Sequence, residues 1–412
     1  MKLKKEVKNA IFIGAMCSIA YLAVYIARNV LSAVSPQMIE TNAFGVDTQK
    51  FIGKVSSVYF ITYAIGQLIN GAIGDKIKGK YMIAVGLLMA GVTNFLFAKL
   101  SSSPAGALVI YAMTGFFLAM IYAPMMKIVA ENTEPVYATR CSLGFTFASF
   151  LGSPSAGLLA STLVWQSVFM TSSAVLIFMS CVCFIMFTVF EKKGVVRYGQ
   201  YKPVEKKGAN LKVLFKHRIV KFSLIALITG VVRTSVVFWM PTYLAQHLEF
   251  SSSQAASIFT VATLVISFTA FISVFIYEKL GRNMDKTILL MFSCATLFFL
   301  SIYLVKLPIL NIILLVLAVM SSNGASAMLW SRYCPSLRDT GIVSGVTGFL
   351  DFLSYMAAAV SSNLFANAVS SIGWGNLILV WMALMIFGVI VALPYQRFIG
   401  KGKKEIKSFD LN

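Results

Sequence analysis

YLAVYIARNVLSAVSP, residues Tyr21 to Pro36, is an apolar run interrupted by one arginine, Arg28. The nearest basic residue upstream is Lys8 and the nearest acid downstream is Glu40. A helix through this run carries Arg28 deep into whatever apolar medium surrounds it. In hydrocarbon that costs at least ~2.5 kcal/mol on insertion scales, so such a residue faces a polar cavity or a partner. The arrangement recurs in the second half of the chain: Pro36 follows Arg28 by eight residues, and Pro241 follows Arg233 by eight.

Composition says which medium. The 412 residues are 58% hydrophobic and 12% charged, with a mean hydropathy of +0.82. A soluble domain carries about 25% charged residues. Long apolar runs separated by short polar breaks mark an all-α integral membrane protein. Twelve transmembrane helices are expected, at 10–34, 51–74, 81–99, 104–130, 138–162, 166–190, 220–246, 253–277, 287–305, 309–331, 341–367 and 374–396. The basic start, MKLKKEVK, leads into the first of these spans and is read as an uncleaved helix.

The net charge of +20 is topological. With the N-terminus in the cytoplasm, 28 of the 35 Lys and Arg fall in cytoplasmic segments, ten of them between Lys192 and Lys221. Lys50, Lys54, Lys99 and Lys306 lie in or beside outer loops. This positive-inside bias puts both termini in the cytoplasm and the protein in the cytoplasmic membrane, and it disfavours a nucleic-acid partner. The six cysteines are scattered without metal or disulfide spacing and read as small apolar packing residues. His217, in the linker, and His247, at an outer helix end, read as solvated.

Three domains follow. Residues 1–190 form an N-terminal six-helix bundle, 191–219 a basic cytoplasmic linker, and 220–412 a C-terminal six-helix bundle. The halves repeat at a near-constant offset. Arg28 and Arg233, Asp75 and Glu278, Pro135 and Pro335, and Trp165 and Trp374 are 205, 203, 200 and 209 residues apart. That is a parallel duplication into two pseudo-symmetric six-helix bundles. Halves so related place a substrate site between them near mid-membrane, as in the major facilitator fold.

The interior charges name the chemistry. Three cations, Arg28, Lys127 and Arg233, lie within spans, against one deep acid, Asp351. A surplus of buried positive charge calls for an anion. Two guanidiniums, one from each half, suit a phosphoryl group, whose oxygens they grip by paired hydrogen bonds. Helical spacing adds polar stripes that would line an aqueous cavity: Tyr21, Tyr25, Arg28 and Ser32; Tyr63, Gln67 and Asn70; Thr229 and Arg233; Asp351 and Tyr355. The expected substrate contacts are Arg28, Arg233, Tyr25, Tyr63, Gln67, Lys127, Tyr21 and Asp351. Asp75, in GAIGDKIKGK, and Glu278 are expected to serve the cytoplasmic gate. No phosphate-loop, G-x-S-x-G or H-E-x-x-H pattern occurs, so neither an enzyme, a cofactor nor a metal site is expected.

These stretches resemble a known family. YLAVYIARNVLSAVSP is similar to the first helix of the organophosphate:phosphate antiporters, the bacterial glycerol-phosphate and hexose-phosphate exchangers of the major facilitator superfamily. VVRTSVVFWMPTYL resembles their seventh helix, ITYAIGQLINGAIGDK their second helix and its loop, and IYAPMMK their fourth. The resemblance puts Arg28 and Arg233 on the two phosphate-binding arginines. It implies an antiporter that exchanges an organic phosphate for inorganic phosphate by alternating access; a monomer is expected. Two positions depart from the pattern: Gln67 stands where family members often carry a lysine, and Ala148 where the glycerol-phosphate type has a histidine. The residues leave two alternatives open. One is a carrier, with or without proton coupling, for a carboxylate, sugar acid or nitrate. The other is a phosphate-ester receptor without flux.

Overall fold

The computed structural model describes residues 5–45, 47–74, 77–99, 103–199, 218–337 and 343–393. Asp75, His217 and most of the linker lie outside the described residues. The rest is helical. The first three helices are α1 (Lys5–Glu40), α2 (Thr48–Gly74) and α3 (Gly79–Lys99). α4 runs Pro104–Leu118 and resumes at Tyr122–Asn132; α5 (Pro135–Thr162) and α6 (Trp165–Lys192) complete the first set. α7 comprises Ile219–Gly230, a π-turn at Val231–Val236, and Val237–Gln246. α8 (Ser252–Ser267 and Thr269–Lys279) and α9 (Met284–Leu304) follow. α10 is Pro308–Met328 with a π-turn at Leu329–Tyr333. The segment Val343–Ala392 is two helices, α11 and α12, that meet at Gly373, whose φ of 75° only glycine adopts at little cost.

Among the described residues ten helical stretches are long and apolar enough to cross a membrane, counting α11 and α12 as one. Large apolar side chains on the outside, such as Phe178 (67% exposed) and Ile309 (74%), are what a bilayer would cover. Twelve helices were expected and twelve are seen among the described residues, with ends shifted by a few residues; α5 is the one outside those ten stretches. The largest shift is in α1, which extends past Pro36 to Glu40.

Pro36 is accommodated locally. It has no N–H to give the Ser32 carbonyl, and the Ser35 hydroxyl donates to that carbonyl instead, at 2.9 Å. Asp47 starts α2 by accepting the Lys50 N–H at 3.2 Å. The Lys50 ammonium lies 2.8 Å from the same carboxylate, and this bonding holds the Asp47 carboxyl below the usual range.

The two sets of helices meet chiefly along α1 with α7, α2 with α11, and α5 with α8, and more lightly along α1 with α8. Hydrogen bonds between the sets run from the loop end of the bundle, opposite the termini, to mid-depth. The Ser32 hydroxyl donates to the Phe238 carbonyl at 2.6 Å, and Ser35 pairs with Thr242 at 2.7 Å. Gln246 donates to Gln49 at 2.9 Å, Ser253 to the Ser161 carbonyl at 2.7 Å, and Ser267 to the Phe150 carbonyl at 3.3 Å. Gly53 lets α2 lie so close to α11 that a Cβ there would stand 2.5 Å from the Ala366 methyl. The bundle is closed at this end.

At the terminal end, ion pairs join helices of the same set. Lys78 and Lys80 hold Glu191 at 2.7 and 2.5 Å. Arg218 and Lys221 hold Asp285 at 2.9 and 3.1 Å. Lys80 and Asp285 are matched positions of the repeat, but they tie down different neighbours: Lys80 joins α3 to α6, and Asp285 joins α9 to α7.

A candidate anion site between the helix sets

Arg28 projects from mid-α1 into a ring of tyrosines. Its guanidinium carbon is 5.4 Å from the Tyr25 ring centre, 5.1 Å from Tyr63 and 4.8 Å from Tyr355. Each such contact is worth ~0.5–1 kcal/mol, rising to about 2 where water is excluded. Three together are of the size needed to offset the cost of placing the cation there. Among the described residues Arg28 makes no ion pair. The position of Tyr25 depends on α5: Gly152 packs directly against its Cβ, where a methyl group would collide.

Arg233 comes from the π-turn of α7. Wide turns of this kind are rare and occur disproportionately at functional sites. Its guanidinium stands 3.9 Å from the Asp351 carboxylate, 5.9 Å from the Trp330 ring and 6.0 Å from Tyr355. The distance to Asp351 exceeds that of a charge-assisted hydrogen bond, ~2.7–2.9 Å, so the pair is loose. Both partners are partly open, Arg233 at 32% and Asp351 at 28% exposure. The two arginines, one from each set of helices, thus share one ring, Tyr355. Gln67 on α2 is in polar contact with Asp351.

Of the residues expected to contact substrate, Arg28, Arg233, Tyr25, Tyr63, Gln67 and Asp351 are brought together. Tyr21 lies one layer back, packed 5.0 Å from the Tyr25 ring, 5.2 Å from Tyr122 and 5.8 Å from Phe145. Lys127 is elsewhere. With Lys78, Pro124, Glu131 and Tyr198 it lines a separate cavity of about 230 Å³ at the terminal end. Glu278 is exposed in the last turn of α8.

Three stripe residues do not line the cleft. Ser32 bonds across to α7 as described. Asn70 is buried and donates to the Phe116 carbonyl at 3.4 Å. Thr229 is buried and donates to the Ile225 carbonyl of its own helix at 2.8 Å. The π-turn begins two residues after Thr229 and shifts the register, so Arg233 no longer shares its face. Two aromatics that sequence reasoning passed over join the site. Tyr122 opens the resumed part of α4, and Trp330 sits in the α10 π-turn with its N–H donating to Ser326 at 3.1 Å. The position of Trp330 gave no signal, because it lies next to the end of its expected span.

Twelve helices around a cleft lined by cations and aromatic rings define a multi-pass membrane carrier fold, not an enzyme. The chain belongs to the Major Facilitator Superfamily, whose model matches residues 17–362. It is 30% identical over 99 residues to the membrane sensor protein UhpC of Salmonella typhimurium, a match covering 24% of this chain and 22% of that protein. Over a longer range it is 22% identical to the glucose-6-phosphate exchanger SLC37A2 of Danio rerio, covering 87% of this chain and 81% of that one. It is 24% identical to the phosphoglycerate transporter protein of Salmonella typhimurium, covering 86% and 82%. In fold it is similar to a bacterial homologue of the human lysosomal transporter Spinster, solved in an inward-facing and unoccupied conformation. That likeness has a TM-score of 0.74 at 14% identity over 93% of this chain and 96% of that one, and it shows the fold alone.

Proposed function

We propose that the protein carries a small organic phosphate across the cytoplasmic membrane in exchange for inorganic phosphate, by alternating access. The observation that carries this reading is the convergence of Arg28 and Arg233 on Tyr355. Two guanidiniums from opposite helix sets can each offer paired donors to the oxygens of one phosphoryl group. Bound between them, the anion offsets their repulsion and draws the sets together at the terminal end. An empty site leaves the cations facing each other and opposes that closure, which favours exchange over leak. The names of the longer-matching relatives support phosphate esters as the class of cargo. The charge asymmetry supports cytoplasmic termini, in which case the closed end faces outward and the site is open to the cytoplasm. The carrier is proposed to work as a monomer.

The test is uptake of labelled phosphate into liposomes that contain the protein and are loaded with phosphate. Arg28→Lys and Arg233→Lys keep the charge and lose the fork, so each should slow exchange at least about tenfold, which is ~1.4 kcal/mol. Exchange as fast as the parent's in both variants removes the clamp. The likeness to a membrane sensor supports a second reading, a receptor that binds phosphate esters without flux. Binding by the purified protein with no counterflow of any phosphate ester would establish it.

A further inference from the structure

The charges around the cleft do not cancel. Arg28 and Arg233 bring two positive charges and Asp351 one negative, which leaves one net positive charge before anything binds. The groups near Asp351 come from every neighbouring helix: Arg28 from α1, Gln67 from α2, Tyr122 from α4, Arg233 from α7, Cys334 beyond α10, and Tyr355 from α11 itself. The arginines apart, these are uncharged near neutral pH. Lys127, the third interior cation, lines another cavity, with Lys78, Glu131 and Tyr198.

A phosphoryl group in the clamp must lie beside Asp351, because Asp351 is 3.9 Å from the Arg233 guanidinium that would hold it. A monoanion leaves the occupied site neutral. A dianion leaves it with an uncompensated negative charge, and sets that charge against a carboxylate in a partly desolvated cleft. We propose that Asp351 fixes the charge of the cargo: the site takes up a phosphate with one net negative charge, as the monoanion or as the dianion together with one proton. This rests on the two arginines holding the phosphoryl group. It adds that each half-cycle moves one net negative charge whatever the form in solution.

The sign of the pH dependence follows. Raising the pH removes the monoanion, and it removes the proton that would accompany a dianion, so the parent protein binds more weakly as the pH rises. With a neutral amide at 351 the two arginines match a dianion, and that loss disappears. Exchange of labelled inorganic phosphate is measured in liposomes with equal internal and external pH, from about 5.5 to about 8.5, a range that spans the second ionisation of phosphate groups. The apparent affinity of the parent should fall by up to about tenfold per pH unit in the upper part of this range, as expected for one linked proton. Asp351→Asn should lose less than about twofold, and Asp351→Glu should keep the parental slope. A flat parental profile, or a parental slope in Asp351→Asn, overturns the proposal. No exchange by the parent at any pH overturns the phosphate-carrier reading instead. If Asp351→Asn does not fold, competition on the parent decides. At about pH 8, methyl sulfate, a fixed monoanion, should inhibit phosphate exchange at least about tenfold better than sulfate, a fixed dianion, a difference of ~1.4 kcal/mol. Equal or better inhibition by sulfate overturns the proposal.

Discussion

Arg28 shares its depth with rings rather than with a carboxylate, and this determines what substitutions around it should do. Tyr355 is the critical ring because both arginines stand over it, and Tyr63 packs against it at 5.0 Å. Removing its π-face removes one contact from each cation, ~0.5–2 kcal/mol apiece. Tyr355→Leu should therefore weaken phosphate-ester binding by roughly 5- to 1,000-fold in a binding titration. Tyr355→Phe keeps the face and should recover most of that loss. Equal loss in both variants would show that the hydroxyl, and not the ring, supports the site. Arg233 differs from Arg28 in having a carboxylate within ion-pair range, which is why the charge of the cargo is decided on that side of the cleft.

At the scale of elements, both arginine-bearing helices have proline-disturbed ends, and those ends face each other. In α1, Ser35 satisfies the carbonyl that Pro36 cannot, and it also pairs with Thr242, one residue past Pro241 in α7. The close approach of α2 to α11 at Gly53 supports the same closure. Gly53→Leu should push these helices apart at the loop end. Overpacking of this kind costs ~1–3 kcal/mol, enough to shift a two-state population by roughly 5- to 150-fold away from the closed arrangement. The check is disulfide formation between cysteines placed at Gln49 and Gln246, whose amides touch in this structure. Cross-linking should be rapid in the otherwise unaltered protein and should drop in the Gly53→Leu background. Unchanged cross-linking would mean that the contact at Gly53 does not govern closure.

At the scale of the whole molecule, the distribution of basic residues and the shape of the cleft bear on the same question, which side the site faces. The ten lysines and arginines between Lys192 and Lys221 cannot easily be translocated, so they should hold the connecting segment in the cytoplasm. Its first residues are docked on α4: the Asn132 side chain accepts the Arg197 N–H at 2.6 Å and donates to the Arg197 carbonyl at 3.1 Å. A tag at the C-terminus should be digested by protease added to inside-out vesicles and protected in intact spheroplasts. The reverse pattern would invert the sidedness and make the present conformation outward-open. The order of the helices is set locally by length and hydropathy, while α5 is held in place by its packing against α1 and α8.

The same contrast runs through the candidate site. A guanidinium in an apolar run is costly wherever the helix packs, so Arg28 and Arg233 were legible as a pair from their positions alone. Asp351 was legible for the same reason, as the one deep acid. Rotation of helices about their axes was not legible. Ser32, Asn70 and Thr229 have the spacing of a cleft face, yet close helix contacts and a shifted turn direct them into packing. Lys127 lies within an apolar span by sequence, yet the break in α4 and its distance along the helix take it to another cavity. The sequence by itself determined the medium, the spans, the sided distribution of charge and the two costly arginines, because each depends on the transfer of local groups between water and hydrocarbon. Only the tertiary structure decided that Asp351 meets Arg233, that Tyr122 and Trp330 join the site, and that one ring lies under both cations. Those contacts depend on how closely separate helices approach and how they are turned, and no residue carries that information alone.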